Sequence, residues 1–414
     1  MKEYFISEID IEKLYHLSDI KIKLDSNKRQ HLLLTGKNGS GKTSLLLEIE
    51  KFLRAINDEK LSQVFDQYPT WINEAKKKVL SASSDSEKYA ADKDLKQCLG
   101  FLKKYSDGVQ INLNQYEGLE MMYHNGKFIT AYFPSERKAQ FMRPNGVENI
   151  TLENTYGIDE SAGDILLKYM VHLKTQQAYA RNEGDQTTAD KIQQWFDRFD
   201  LALQILLDEE SIHIEYDYKK YDFKIRQNGR EPFSFNELSD GYSSVIYIVS
   251  DLILRMDKNW LLEDKIGEYD YQGIVLIDEL ETHLHIELQK KIFPFLTKFF
   301  PRIQFIVTTH SPYILNSISN AKAYDLERQV ELDNLSGFSS DDLAEGYFEA
   351  DAYSDELKNS LNRYEELCLR NDLTEDERAE RAEIRIKFKN ISTELSGVAK
   401  ERFEDIERRR KAND

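Results

Sequence analysis

With 414 residues, 40% hydrophobic and 31% charged, the chain has the balance of a globular protein with about two or three domains' worth of core, which excludes collagen-like and disordered classes. A formal net charge of -18 argues against a protein whose main task is to coat nucleic acid, so any DNA contact needs a local basic patch or a partner. The two cysteines, Cys98 and Cys368, make neither a disulfide framework nor a zinc site, and the start Met1–Ile6 has no signal-peptide stretch; a reduced, cytoplasmic chain is expected. The most apolar later run, Val245–Met256, contains Ser250, Asp251 and Arg255 and is too short to span a bilayer, so no membrane partner is expected.

In chain order, residues 1–35 read as strands. Ile20–Leu24 alternates with period two, and His31–Thr35 is a short apolar run ending at a glycine, the pattern of a buried strand. Leu45, Leu46, Ile49 and Leu53 share one face of a helix over 43–56. Residues 58–107 are charged and helical, with a weak loop at Ser81–Ser86, and 109–133 return to a strand pattern. Residues 160–208 predict a helical hairpin: Ile165, Leu166, Tyr169 and Leu173 mark one helix, Ile192, Trp195, Phe196, Phe199 and Leu203 the other, with a turn at Arg181–Thr187. Strands resume at 211–226, followed by a helix (240–257), a strand (273–277), a helix (285–299) and a strand (303–308). That alternation is the α/β signature. From 354 onward the chain is helical and strongly charged.

Gly36-Lys37-Asn38-Gly39-Ser40-Gly41-Lys42-Thr43, between a predicted strand and a predicted helix, matches the P-loop pattern. Its glycines let backbone N–H groups curl around phosphate oxygens, and the helix N-terminus adds partial positive charge. Lys42 is expected on the β/γ-phosphates of ATP and the Thr43 hydroxyl on Mg²⁺, with Ser44 closing the run of nucleotide contacts. The apolar strand Ile274–Ile277 delivers Asp278 and Glu279 at its C-terminal end, where ligands bind in open α/β sheets. Asp278 is expected to hold Mg²⁺ and Glu279 to orient and deprotonate an attacking water; a solvated acidic turn is the alternative. Leu238-Ser239-Asp240-Gly241 opens a predicted helix, and Ser239 or Asp240 also suits a plain helix cap. His310 follows the strand ending at Thr308, and Arg137 closes Tyr132-Phe133-Pro134-Ser135-Glu136-Arg137, where a surface arginine is the alternative.

Taken together and in this order, these motifs resemble the ABC-type ATPases. Leu238-Ser239-Asp240-Gly241 resembles that family's signature motif, which faces the γ-phosphate bound by the other subunit, and Tyr242 stands where members commonly carry Gln or Glu. His310 resembles the switch histidine, and Glu281-Thr282-His283-Leu284-His285 the D-loop. The resemblance covers 1–57 and 109–326 and implies an α/β fold: an ABC-ATPase head (a P-loop NTPase with a mixed sheet) with a short helical-hairpin insertion and a helical C-terminal tail. The implied division is a head at 1–57 and 109–330, a helical insertion at 58–108, the hairpin at 160–208 and the tail at 354–411. It also implies ATP and Mg²⁺, hydrolysis to ADP and phosphate through Glu279 and His310, nucleotide contacts from Gly36 through Ser44, from Leu238 through Gly241 and from Arg137, and a homodimer or higher homo-oligomer.

The interval from Thr43 to Leu238 is longer than a compact transporter subunit needs and far too short for the coiled coil of SMC or Rad50. It resembles the RecF and OLD-like branch, the AAA_15 and AAA_21 kind. OLD-type and Gabija-type proteins continue into a TOPRIM nuclease, but no Asp-x-Asp follows a predicted strand after His310. The organisation is therefore similar to the stand-alone ATPases of Septu-type (PtuA) or PARIS-type (AriA) antiphage systems, which implies a separate effector such as a nuclease. A RecF-like DNA repair clamp and a transporter ATPase are the alternatives. In the tail, Thr374 with Glu377 is a capping-box pattern, and Phe388, Ile391, Leu395 and Val398 follow with a/d spacing, suiting either packing on the chain's own head or an oligomer contact. Arg408-Arg409-Arg410-Lys411 suits a cationic helix terminus or a patch for DNA or a partner.

Overall fold

The computed structural model describes residues 2–137, 141–257, 271–332, 335–337, 339, 343, 355–370, 372–389 and 397–413. The chain divides into two compact units, Met1–Gly337 and Phe338–Asp414.

The first unit opens with β1 (Ile6–Leu14) and β2 (Leu17–Lys23), whose alternation buries Ile9, Ile11, Ile20 and Ile22. β3 (His31–Thr35) leads into α1 (Lys42–Asn57). A short π-helix, Gln63–Gln67, precedes α2 (Tyr68–Ser81) and α3 (Asp85–Lys103), which pack on each other. Next come β4 (Val109–Leu113), α4 (Leu119–His124) and β5 (Phe128–Phe133). The stretch 109–133, strand-like by pattern, thus contains a short helix. It starts at Gly118, in the left-handed region at φ 89°, and buries Leu119 and Tyr123 at i, i+4 spacing. α5 (Leu166–Glu183) and α6 (Gln186–Leu207) form a hairpin. Gly184 ends the first helix in the left-handed conformation, and the Asp185 side chain accepts the Thr188 N–H at 3.0 Å to start the second. Further along come β6 (His213–Asp217), β7 (Asp222–Arg226), β8 (Phe233–Ser234), α7 (Asp240–Met256), β9 (Gln272–Ile277), α8 (Ile286–Phe299), β10 (Ile303–Thr308), the short α9 (Pro312–Leu315), β11 (Ala321–Asp325) and β12 (Val330–Leu332).

Among the described residues the strands form three sheets. Two are small and antiparallel, with orders β2-β1-β4 and β6-β7-β8. The central sheet has the order β12-β11-β3-β10-β9-β5 and is parallel except for the edge strand β12. The fold is therefore α/β with a mixed sheet, as expected. Every residue of β3, β9 and β10 is buried, which is why their sequences are nearly unbroken apolar runs. The polar exceptions Gln272 and Gln304 are matched: they accept the N–H groups of Tyr4 (3.0 Å) and Ile6 (2.7 Å), tying the N-terminal segment to the central sheet. No helix among the described residues is long and apolar enough to cross a membrane.

In the second unit the described helices are Asp355–Leu369, Glu375–Lys389 and Gly397–Asn413, around a cluster of Leu361, Tyr364, Phe388, Phe403 and Ile406. Thr374 and Glu377 form a reciprocal capping box, N–H to carboxylate at 2.9 Å and N–H to hydroxyl at 3.3 Å. Of the a/d run, Phe388 is spent inside this unit's own cluster, while Ile391, Leu395 and the side chain of Val398 lie outside the described residues. Arg409 pairs with Asp405 at 2.6 Å and Arg410 with Glu407 at 3.4 Å, so part of the terminal basic run is neutralised locally.

Candidate functional site

The register of the central sheet aligns Leu33, Val307, Ile277 and Phe133 across β3, β10, β9 and β5. The C-terminal ends of these four parallel strands therefore lie side by side. Just beyond them come the Gly36–Thr43 loop, Thr308–His310, Asp278–Glu279 and Pro134–Arg137. Segments far apart in sequence converge because strand order, not chain order, sets neighbours at this edge.

In the loop, Gly41 has φ 96°, and a Cβ there would come within 2.9 Å of the Leu17 Cδ1 atom, so both backbone conformation and space call for glycine. Lys42 Nζ donates to the carbonyls of Gly36 (2.8 Å) and Lys37 (3.1 Å), folding back over the loop. Burial lowers its pKa, opposed by Glu279, Asp278, Glu281 and Asp325. The hydroxyl of Thr43 donates to Asp278 Oδ2 at 2.9 Å. The hydroxyl of Thr308 donates to Asp278 Oδ1 at 2.5 Å and accepts the Glu279 N–H at 2.7 Å. Thr282 Oγ1 donates to Glu279 Oε2 at 3.3 Å. The His310 backbone N–H donates to Glu281, while its ring Nε2 is buried with no hydrogen-bond partner among the described residues. Burial first, and the Lys42 charge second, lower the His310 pKa, which keeps the imidazole neutral near pH 7.

A cavity of about 290 Å³ opens over this loop, lined by Tyr15, His16, Asn38, Gly39, Gly41, Lys42, Thr43, Ser44 and Glu279. The donor set fits a nucleoside triphosphate with a divalent cation. The glycine-rich loop brings Lys42 to the cavity, and the Thr43 hydroxyl already meets the Asp278 carboxylate. Ser40 Oγ is buried in the loop with no hydrogen-bond partner among the described residues. Tyr15, His16 and Thr308 join the site without belonging to any of its sequence motifs. The first two sit in the β1–β2 turn, where His16 Nε2 lies 3.2 Å from the Ser40 carbonyl, and the available signal was only an aromatic–histidine pair between two alternating runs.

Of the residues expected at the nucleotide or its Mg²⁺, Gly36, Lys37, Ser40, Asp278, His310, Arg137 and Leu238–Gly241 do not line this cavity. Ser239 is the N-cap residue of α7, but its side chain makes no cap hydrogen bond, and Ser239 and Asp240 are exposed; the capping box nearby is Ser234 with Glu237. Gly241 is buried, and a Cβ there would sit 2.3 Å from the His283 carbonyl oxygen, so the start of α7 lies directly on the 281–285 turn. Arg137 binds protein backbone instead. Its guanidinium donates to the carbonyls of Pro134 (2.8 Å), Asp278 (2.6 Å) and Glu279 (3.0 Å), and its Nε to the Ser244 hydroxyl (2.8 Å). The cause is sheet order: β5 runs beside β9, which puts Arg137 next to the acid pair's backbone rather than the P-loop.

Residues 71–316 match a family described as "AAA domain, putative AbiEii toxin, Type IV TA system". The chain belongs to this family. The matched stretch contains Arg137, Leu238–Gly241, Asp278–Glu279 and His310. The chain is also similar to the Retron Vc95 probable ATPase of Vibrio cholerae, with 26% identity over 360 residues covering 72% of this chain and 69% of that one. It is 24% identical over 326 residues to the Septu protein PtuA of Bacillus mycoides, covering 77% of this chain but 40% of the relative. A crystal structure of an SMC head bound to the C-winged helix domain of ScpA aligns over 81% of this chain and all of that one, at 11% identity and a TM-score of 0.38, a likeness too loose to carry an argument. Family and relatives together place the chain among AAA-type ATPases.

Proposed function

We propose that this chain binds ATP at the P-loop cavity, hydrolyses it to ADP and phosphate, and uses the nucleotide state to hold or release a separate effector. The observation that carries the reading is the hydrogen bond from Thr43 to Asp278, which joins the two residues suited to Mg²⁺ across the sheet. When bound there, Mg²⁺ would neutralise phosphate charge. Lys42 would leave the loop carbonyls for the β/γ-phosphates, Glu279 would orient a water and take its proton, and neutral His310 would hydrogen-bond the terminal phosphate. Exposed Ser239 at the head of α7 supports a site completed by a second copy, whose nucleotide it would meet. In this reading 1–57 and 109–330 form the head, with insertions at 58–108 and 160–208 and a tail at 354–411. The helical second unit, and relatives named for Septu and retron systems, support an effector in trans within a defence system.

Glu279→Gln tests the chemistry. It should keep ATP affinity while phosphate release falls by about 10²-fold or more, since the amide cannot accept the proton. A variant that hydrolyses normally removes Glu279 from this role. Co-purification with the product of the adjacent gene, with and without ATP, tests the output; equal affinity in apo, ADP and ATP states rules out nucleotide gating.

A further inference from the structure

The roles above leave Arg137 unassigned. A guanidinium has five N–H groups, and four of them are engaged here, on Ser244, Pro134, Asp278 and Glu279. One planar group therefore joins the backbone carbonyls of both acidic residues to a hydroxyl on α7, five positions after Ser239. Glu279 itself sits at φ 45°, a left-handed conformation that a residue with a Cβ holds only when its surroundings determine it. Its N–H is held by Thr308 and its carbonyl by Arg137, so the peptide units on both sides of its Cα are pinned. Burial pulls the Arg137 pKa down to about 10, against the pull of Asp278, Glu281 and Glu279, so the group remains a cation at neutral pH.

We infer that Arg137 is a positioning residue: it fixes the backbone from which Glu279 aims its carboxylate, and through Ser244 it ties that aim to the start of α7. The inference rests on the proposed role of Glu279 toward water. It replaces a nucleotide contact by Arg137 with a contact to the catalytic backbone. It also gives α7 a path to the chemistry, because any displacement of this helix acts on the Glu279 carbonyl through the same guanidinium. Lysine cannot substitute: a single ammonium on a flexible stem lacks the planar fork that serves Ser244 and three carbonyls at once.

The test uses the full chain and compares phosphate release and ATP–Mg²⁺ affinity for wild type, Glu279→Gln, Arg137→Lys, Arg137→Ala and Ser244→Ala. Both Arg137 variants should lose about 10-fold to about 100-fold in kcat, as expected when a catalytic group is misplaced by an ångström or less. Their ATP dissociation constants should stay within about threefold of wild type, since no uniform binding contact is lost. Ser244→Ala should lose less, because three of the four contacts remain. If Arg137→Ala does not fold, Arg137→Lys and Ser244→Ala carry the same comparison. Arg137→Lys with unchanged kcat overturns the inference, and so does a loss confined to ATP affinity, which would make Arg137 a nucleotide contact after all. Wild-type rates in the Arg137 variants beside an inactive Glu279→Gln sink the positioning role alone. A wild-type rate in Glu279→Gln sinks the proposed site itself.

Discussion

The P-loop and the Leu238–Gly241 segment carry the two sets of residues suited to phosphate, and the fold treats them differently. At the P-loop the side chains are engaged by the chain itself: Lys42 on the carbonyls of Gly36 and Lys37, Thr43 on Asp278, and Asp278 also on Thr308. At the head of α7, Ser239 is exposed and caps nothing, although its backbone is anchored by the contact of Gly241 with the His283 carbonyl. Buried parallel strands hold the first region in place before any ligand arrives. The second is an exposed surface mounted on the 281–285 turn, the asymmetry that the proposed sharing of the site between two copies requires.

The largest effect that sharpens this contrast is Lys42→Ala. It removes the loop's cation facing the cavity and should weaken ATP binding by about 100-fold or more in a calorimetric titration. Unchanged affinity would deny the P-loop its role as the nucleotide half. Ser239→Arg should leave ATP binding by a single subunit intact while hydrolysis falls by about tenfold or more, because the bulky cation blocks the approach of a second copy. Mixed with Lys42→Ala protein, it should recover at most one working site per mixed dimer. Full hydrolysis by Ser239→Arg as a demonstrated monomer breaks the comparison.

Smaller effects probe how α7 is mounted. Gly241→Ala places a Cβ against the backbone oxygen of His283 at 2.3 Å, with no flexible side chain to give way. It should cost about 1–3 kcal/mol in a denaturant melt, by overpacking; a neutral result would mean that the helix start is free to shift. At the other end of the helix, Asp257 accepts the Trp195 indole N–H at 2.5 Å, and burial pushes its pKa up to about 8. The folded chain thus keeps a proton that the unfolded chain releases at about 3.8, so stability falls as pH rises between those values. Asp257→Asn should remove that slope. Relative to the variant, the wild-type melting temperature should drop from about pH 5 to about pH 8, and parallel profiles would show that Asp257 does not titrate in this window.

The regions differ equally in how readable they are. The P-loop, the acid pair and the strand-end His310 are written locally, because each couples a buried apolar strand to a few polar residues at its end, a pattern set by backbone chemistry within ten residues or so. The helices at 160–208 were equally plain from Trp195, Phe196 and Phe199 falling on one face. The short helix at Leu119–His124 was not, since two buried residues four apart fit an irregular strand as well as a helix. Thr308 reads as one more strand residue, and Tyr15 and His16 fall within the stretch 1–35 read as strands; their places beside Asp278 and the P-loop depend on which strands are neighbours. Arg137 is the clearest case. Its sequence context puts it at a strand end near a nucleotide site, but whether it faces phosphate or protein is decided by the order β3-β10-β9-β5, which sets β5 against β9 and leaves two strands between it and the P-loop strand β3. Local pattern encodes what a segment is, and long-range strand pairing, invisible to any window of sequence, decides what its side chains meet.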